Sequence, residues 1–292
     1  MKMIIDTDPG IDDAMAIFYA ALAPEIDLLG LTSVFGNVSI EIATRNALRL
    51  LEIAGVDAPV AEGAGEPLAR SLIPPSSYVH GAEGFGDIPA ETPNGTAINE
   101  TAPEFLCRMA KAHKGELVIC AIGPITNIAN AITLDPAFAT NVKKIVFMGG
   151  AAFVPGNVNE FAEANTHNDP HALNVVTNSG ADCLMVGLDV TMRVLMKMQD
   201  FEGLKVTSPK LGGFLVEASR FYLKFYREVP KIEGCGLHDP MAVIACTHTE
   251  LFDIESHPLK TIETGGRLAR LKFCPPTGQS RSTSVWVEIW KL

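Results

Sequence analysis

Asp6-Thr7-Asp8-Pro9-Gly10-Ile11-Asp12-Asp13-Ala14 places four carboxylates within eight residues, directly after the apolar run Met3-Ile4-Ile5. The apolar run reads as a buried strand, and Pro9-Gly10 as a turn. From Asp12 to Ala23 the apolar residues Ala14, Ile17, Phe18 and Ala21 fall at helical spacing. Side chains two apart in a strand share a face, so Asp6 and Asp8 can point the same way. The acids therefore sit at the carboxyl end of a strand, where open α/β sheets place their ligands.

The same rhythm continues outward. Leu28 to Phe35 is rich in strand formers, and Ile40, Ala43, Ala47, Leu50 and Ala54 mark one face of a second helix. Glu116 to Ile122 predicts a strand and Ile125 to Thr133 a helix. Lys144 to Met148 and Cys183 to Val186 predict further strands, with a helix near Pro170 to Asn178 between them. Alternation of this kind predicts an α/β fold with a mostly parallel sheet flanked by helices. From Leu251 onward the chain predicts extra C-terminal strands, with turns at Thr264-Gly265-Gly266 and Pro275 to Gly278. Gly63 to Asn99 and Lys205 to Gly236 break the rhythm and read as long irregular loops or lids. No linker or internal repeat divides the chain, so residues 1–292 read as one domain.

With 292 residues, 47% of them hydrophobic, the chain can bury one large core. A net charge of −11 excludes a broad phosphate-backbone binder, which needs a basic surface. A small neutral substrate or a cation suits this charge. Six cysteines occur with no C-x-x-C pair, which argues against a thiolate zinc site and for reduced thiols in the cytoplasm. The opening residues do not read as a signal peptide, and no apolar stretch reads as long enough to span a bilayer.

Four crowded carboxylates repel one another and raise each other's pKa unless a cation neutralises them. Helix capping by Asp12 and a dipole role for Asp13 would explain two of the four. A hard divalent metal with oxygen ligands explains all of them. Elsewhere, Gly36-Asn37 reads as a left-handed turn, His80-Gly81 stands in a long loop, and Gly123 to Asn127 reads as a strand-to-helix turn whose leading carbonyl can face the site. The stretch from Gly156 to Asn165 is dense in amides and acids suited to gripping vicinal hydroxyls. In His238-Asp239-Pro240 the proline predicts a helix starting at Met241, with Asp239 either its cap or a metal ligand and His238 a proton carrier.

Laid out in this order, these motifs resemble the inosine–uridine-preferring nucleoside hydrolase family over nearly the whole chain. The resemblance implies an open, mostly parallel Rossmann-like sheet and hydrolysis of the N-glycosidic bond of ribonucleosides. It implies calcium (Ca2+) held by Asp8, Asp13, Asp239 and the Ile122 carbonyl. Asp8 would act as general base and His238 as proton source for the departing base. Asp12, Asn37, Asn157, Glu163 and Asn165 would grip the ribose hydroxyls. His80 would stand near the 5′-hydroxyl or base, and Tyr222 and Tyr226 near the base, in a mobile segment. A homodimer or homotetramer with no nucleic-acid or membrane partner is implied too. Two positions depart from the family pattern: Ile122 stands where Thr is usual, and Ala164 where Phe is usual. A backbone ligand tolerates the first; the second leaves one pocket wall more open. A phosphatase of the haloacid-dehalogenase type and a non-catalytic nucleoside-binding protein are the competing readings. Both are tested by assay, with nitrophenyl phosphate and with inosine.

Overall fold

The computed structural model describes residues 1–273 and 286–291. The strands are β1 (Lys2–Thr7), β2 (Asp27–Ser33), β3 (Val60–Glu62), β4 (Val118–Ala121), β5 (Lys144–Met148), β6 (Cys183–Val186), β7 (Leu195–Met196), β8 (Cys235–Gly236), β9 (Asp253–Thr261), β10 (Leu271–Phe273) and β11 (Trp286–Lys291). Nine of them form one sheet in the order β10-β9-β11-β6-β5-β4-β1-β2-β3. The six from β3 to β6 run parallel, β11 runs parallel beside β6, and β9 and β10 are antiparallel additions. This is the expected open α/β sheet with extra C-terminal strands. The predicted turn at Pro275 to Gly278 and Cys274 lie outside the described residues.

The order of the sheet decides where chemistry can happen. The chain leaves β1 toward β2 and β3, then returns to place β4 on the other side of β1. The connections diverge at that point and open a crevice beyond the carboxyl ends of β1 and β4. Asp8 follows β1, and Ile122-Gly123 follow β4, so both border it.

β1 is central and covered on both faces, as a parallel strand requires. Met3 and Ile5 face a core made with the helices Ile11–Leu22, Pro209–Glu228 and His238–Thr247. Ile4 faces the opposite core, with the helices Ala102–Ala112, Thr126–Leu134 and Pro170–Thr177. The described cysteines Cys107, Cys120, Cys183, Cys235 and Cys246 are buried free thiols. No helix among the described residues is long and apolar enough to cross a membrane.

The irregular reading of Lys205 to Gly236 is overturned. The segment is mostly the 20-residue helix Pro209–Glu228, preceded by the helix Met198–Thr207. Pro209 occupies the first turn, where a missing N–H costs nothing. Leu211, Leu215, Ser219, Tyr222 and Tyr226 then repeat at helical spacing along the buried stripe. Tyr222 and Tyr226 therefore stand on a packed helix rather than in a mobile loop. Gly63 to Asn99 does stay irregular, apart from the helical turn Ser77–His80 and a lone parallel bridge from Ile98 to Ala61.

Candidate active site

Asp8 lies just past β1 with its carboxylate against bare backbone. A Cβ on Gly36 would fall 2.0 Å from Asp8 Oδ2, and one on Gly123 would fall 2.7 Å from Oδ1. Glycine at these two strand ends lets the acid fit, since no larger residue leaves room. The Asn37 N–H donates to Oδ2 at 2.7 Å, whereas Oδ1 is buried with no hydrogen-bond partner.

Asp12 and Asp13 open the helix Ile11–Leu22. Asp13 accepts from the Gly10 N–H at 2.8 Å, the Thr7 hydroxyl at 2.5 Å and the Asn37 amide at 3.2 Å. It thus takes the capping role that the sequence suggested for Asp12. Asp12 does not cap: its Oδ2 accepts from the Tyr222 hydroxyl at 3.1 Å, and its Oδ1 is buried without a hydrogen bond. Asp239 is no cap either. Its helix starts at His238, ahead of the predicted Met241, with Leu237 in the cap position and Pro240 tolerated in the first turn. Oxygens of Asp12, Asp13 and Asp239 lie within 4.8 Å of one another.

Burial raises the pKa of every acid here. Asp8 is pushed well above the usual carboxylate range by desolvation and then by Asp13. Asp13 is raised by desolvation and by Asp12, and Asp12 by desolvation against the opposing influence of His238. Asp239 is raised by desolvation, Asp12, Asp13 and Asp8. Buried like charges with orphaned oxygens are costly unless a cation joins them. The oxygen-only donor set fits a hard divalent ion, and the Asp8 oxygen without a partner is the kind of ligand atom it needs.

Asp6 forms a second layer beneath this group. Its Oδ1 accepts from the Thr32 hydroxyl at 2.5 Å and the Asn127 amide at 2.7 Å. Burial lifts its pKa from 3.8 to about 7. Its carbonyl accepts from the Ile122 N–H at 2.7 Å, which sets the orientation of the peptide after β4. The Ile122 carbonyl in turn accepts from the Asn165 amide at 2.9 Å.

Both predicted histidines are buried beside the acids. The Ile11 N–H donates to His80 Nδ1 at 3.2 Å, and the ring lies 5.3 Å from the Tyr222 ring. Burial lowers the His80 pKa to about 4, so its 3.8 Å approach to Asp12 is no salt bridge at neutral pH. His238 is held at both nitrogens: Thr191 Oγ1 lies 2.8 Å from Nδ1, and the Tyr226 hydroxyl 2.5 Å from Nε2. Its pKa is also lowered by burial, opposed by Asp12.

The predicted sugar loop is only partly drawn in. Glu163 is buried and caps the helix Ala164–Asn168, accepting from the Asn165, Thr166 and Gly150 N–H groups. Asn157 stands exposed, with its oxygen accepting from the Ala164 N–H at 3.0 Å, and makes no described contact with the acids. Contacts thus join Asp8, Asp12, Asp13, Asn37, His80 and Tyr222. They also join Ile122 to Asn165, and Tyr226 to His238. Residue reading missed Thr32, Asn127 and Thr191. Asn127 lay in a turn read as structural, and nothing local marks Thr191.

Cavities of 550 and 450 Å³ lie elsewhere on the surface, one beside Asp87, Phe214 and Arg220, the other beside Phe18, Leu204 and Leu211; none of the acids lines either.

The model of the inosine-uridine preferring nucleoside hydrolase family matches residues 3–289. The chain is 46% identical over 253 residues to probable uridine nucleosidase 2 of Arabidopsis thaliana, covering 86% of this chain and 79% of that one. It is 35% identical to the inosine-uridine preferring nucleoside hydrolase of Leishmania major, covering 91% and 85%. A solved plant nucleoside hydrolase superposes with a TM-score of 0.93 at 37% identity, covering 100% of this chain and 94% of that one.

Proposed function

The chain belongs to the inosine-uridine preferring nucleoside hydrolase family, and from that membership we propose that Asp8, Asp13, Asp239 and the Ile122 carbonyl hold calcium in a hydrolase that prefers uridine. Hydrolysis of the N-glycosidic bond of a ribonucleoside, to ribose and free base, is its activity. The family depends on a metal, and the buried group of Asp12, Asp13 and Asp239 suits one. The crowding of these acids, with Asp8 Oδ1 orphaned among them, is the observation that carries the metal reading. Four plant relatives between 41% and 46% identical are named uridine nucleosidases or probable ones, which supports the base preference.

When bound, the ion supplies positive charge to the acids and eases the loss of a proton from water. The rest falls to the chain's own groups. Asp8 removes a proton from the attacking water as general base. Asp12, Asn37, Asn157, Glu163 and Asn165 orient the ribose hydroxyls, so that the sugar is held near its flattened, cation-like geometry. His80, neutral and packed on Tyr222, lines the 5′-hydroxyl side, with Tyr222 and Tyr226 close to the base. His238 gives a proton to the base nitrogen as the C1′–N electron pair leaves with it, and water oxygen becomes the new C1′ hydroxyl. Residues 1–292 act as one domain in this reading. The enzyme is a homodimer or homotetramer in this reading, and a cytoplasmic one; the five described cysteines, all buried free thiols, support the compartment alone.

Free ribose released from a nucleoside panel, with and without a calcium chelator, tests this. Uridine should be cleaved fastest, and chelation should stop turnover until calcium is returned. Undiminished turnover in chelator would remove the metal, and faster cleavage of purine nucleosides would remove the uridine preference. The proton role of His238 has its own check. His238→Ala should slow uridine cleavage by roughly 10²-fold or more and barely change cleavage of nitrophenyl riboside, whose leaving group needs no proton. Equal losses on both would take the role away.

A further inference from the structure

His238 is gripped from one side by a residue outside the acid cluster. Thr191 ends the one-turn helix Leu188–Thr191 that follows β6, and it is fully buried. Its hydroxyl meets His238 Nδ1 at 2.8 Å. Its carbonyl accepts from the N–H of Leu237, the residue just before His238, at 3.2 Å. Pairing of β7 with β8 keeps these chain segments side by side, Leu195 opposite Gly236 and Met196 opposite Cys235. The ring also packs on Gly236, where a Cβ would fall 2.9 Å from Nε2. The imidazole is therefore fixed in place as well as hydrogen-bonded.

Each ring nitrogen faces one hydroxyl, and a neutral imidazole carries a single N–H. A proton source on the substrate side needs that N–H on Nε2, which leaves Nδ1 an acceptor. We propose that Thr191 is a positioning residue for His238: its hydroxyl donates to Nδ1 and so holds the ring proton on Nε2, the nitrogen that gives it up on the substrate side. That side is marked by the aromatic pair, since the Tyr226 ring lies 5.0 Å from Tyr222, which donates to Asp12. A hydrogen bond at one imidazole nitrogen sets the function of the other. The inference rests on His238 being the proton source.

Thr191→Val keeps the shape and removes the donor, Thr191→Ala serves should the second methyl not be accommodated, and Thr191→Ser keeps the hydroxyl. In ¹⁵N-histidine NMR, assigned with His238→Ala, wild type and Thr191→Ser should carry the His238 proton on Nε2. Thr191→Val should carry it on Nδ1, with Tyr226 donating to Nε2. Thr191→Val should lower uridine turnover by about tenfold and nitrophenyl riboside turnover by less than about twofold. Thr191→Ser should restore uridine cleavage. An unchanged tautomer in Thr191→Val, or equal losses on both substrates, would overturn the proposal. Selective loss in His238→Ala without selective loss in Thr191→Val would remove Thr191 alone. Equal losses in His238→Ala would instead remove the underlying role of His238.

Discussion

Asp8→Asn is expected to lower uridine turnover by roughly 10²–10⁴-fold while leaving the metal-free protein folded and more stable than wild type. The two effects share a cause. The Asp8 carboxylate is fully buried between Gly36 and Gly123, and its pKa is raised by burial and by Asp13. An amide has the same size, which matters because added bulk would meet glycine backbone on both sides. Its oxygen can still accept from the Asn37 N–H, as Asp8 Oδ2 does at 2.7 Å. The neutral side chain relieves the repulsion among the acids but cannot take a proton from water. A functional group that strains its own fold is the pattern expected of active sites. Ribose release and thermal melting without metal check the two halves. Retention of more than about a tenth of wild-type turnover would contradict the base role, and a lower melting temperature would contradict the strain.

The reading of Asp6 to Ala14 carried far because its information is local. A buried strand, a forced turn and a helix start fix where the four acids go, and burial makes their repulsion a chemical statement. The parallel sheet was legible for the same reason, each strand being an apolar run bounded by turn residues. The helix Pro209–Glu228 was misread because Gly212-Gly213 and its many charged residues dilute a stripe that shows only when Leu211, Leu215, Tyr222 and Tyr226 are placed in register. Asp6 shows a different limit. Its carboxylate is tied to Thr32 on β2 and to Asn127 after β4. Those partners are neighbours only because β1 lies between β2 and β4, a fact no local pattern contains. Thr191 is more distant still, meeting His238 through the β7–β8 pairing. Asn157 is the reverse case: a residue whose type suited a sugar hydroxyl, but which the fold leaves exposed and bonded to Ala164. Its place on the ribose is a proposal.

Stability should fall with rising pH when metal is withheld, and calcium should reverse much of that fall. A carboxyl whose folded-state pKa lies above its unfolded value holds its proton more tightly in the folded chain. Folding is then favoured while the group is protonated, and the advantage is lost as pH climbs through the folded-state value. For Asp6 the window runs from about 4 to about 7. The rise from 3.8 to about 7 corresponds to ~4 kcal/mol for a fully buried group. Asp8, Asp12, Asp13 and Asp239 are raised too, so they act in the same direction. A cation binds the deprotonated acids, so its stabilising effect must grow over the same range. At a concentration near a hundred times its dissociation constant it contributes about 3 kcal/mol, equivalent to a melting shift on the order of 5 °C for a chain of 292 residues. Melting in chelator should therefore move to lower temperature from pH 5 to pH 8, and melting in excess calcium should move much less. Asp13→Asn should shrink the calcium effect at pH 8. The outcome that defeats the idea is a calcium shift as large at pH 5 as at pH 8, or none at either, because acids that need no cation would have no reason to lose stability on ionising.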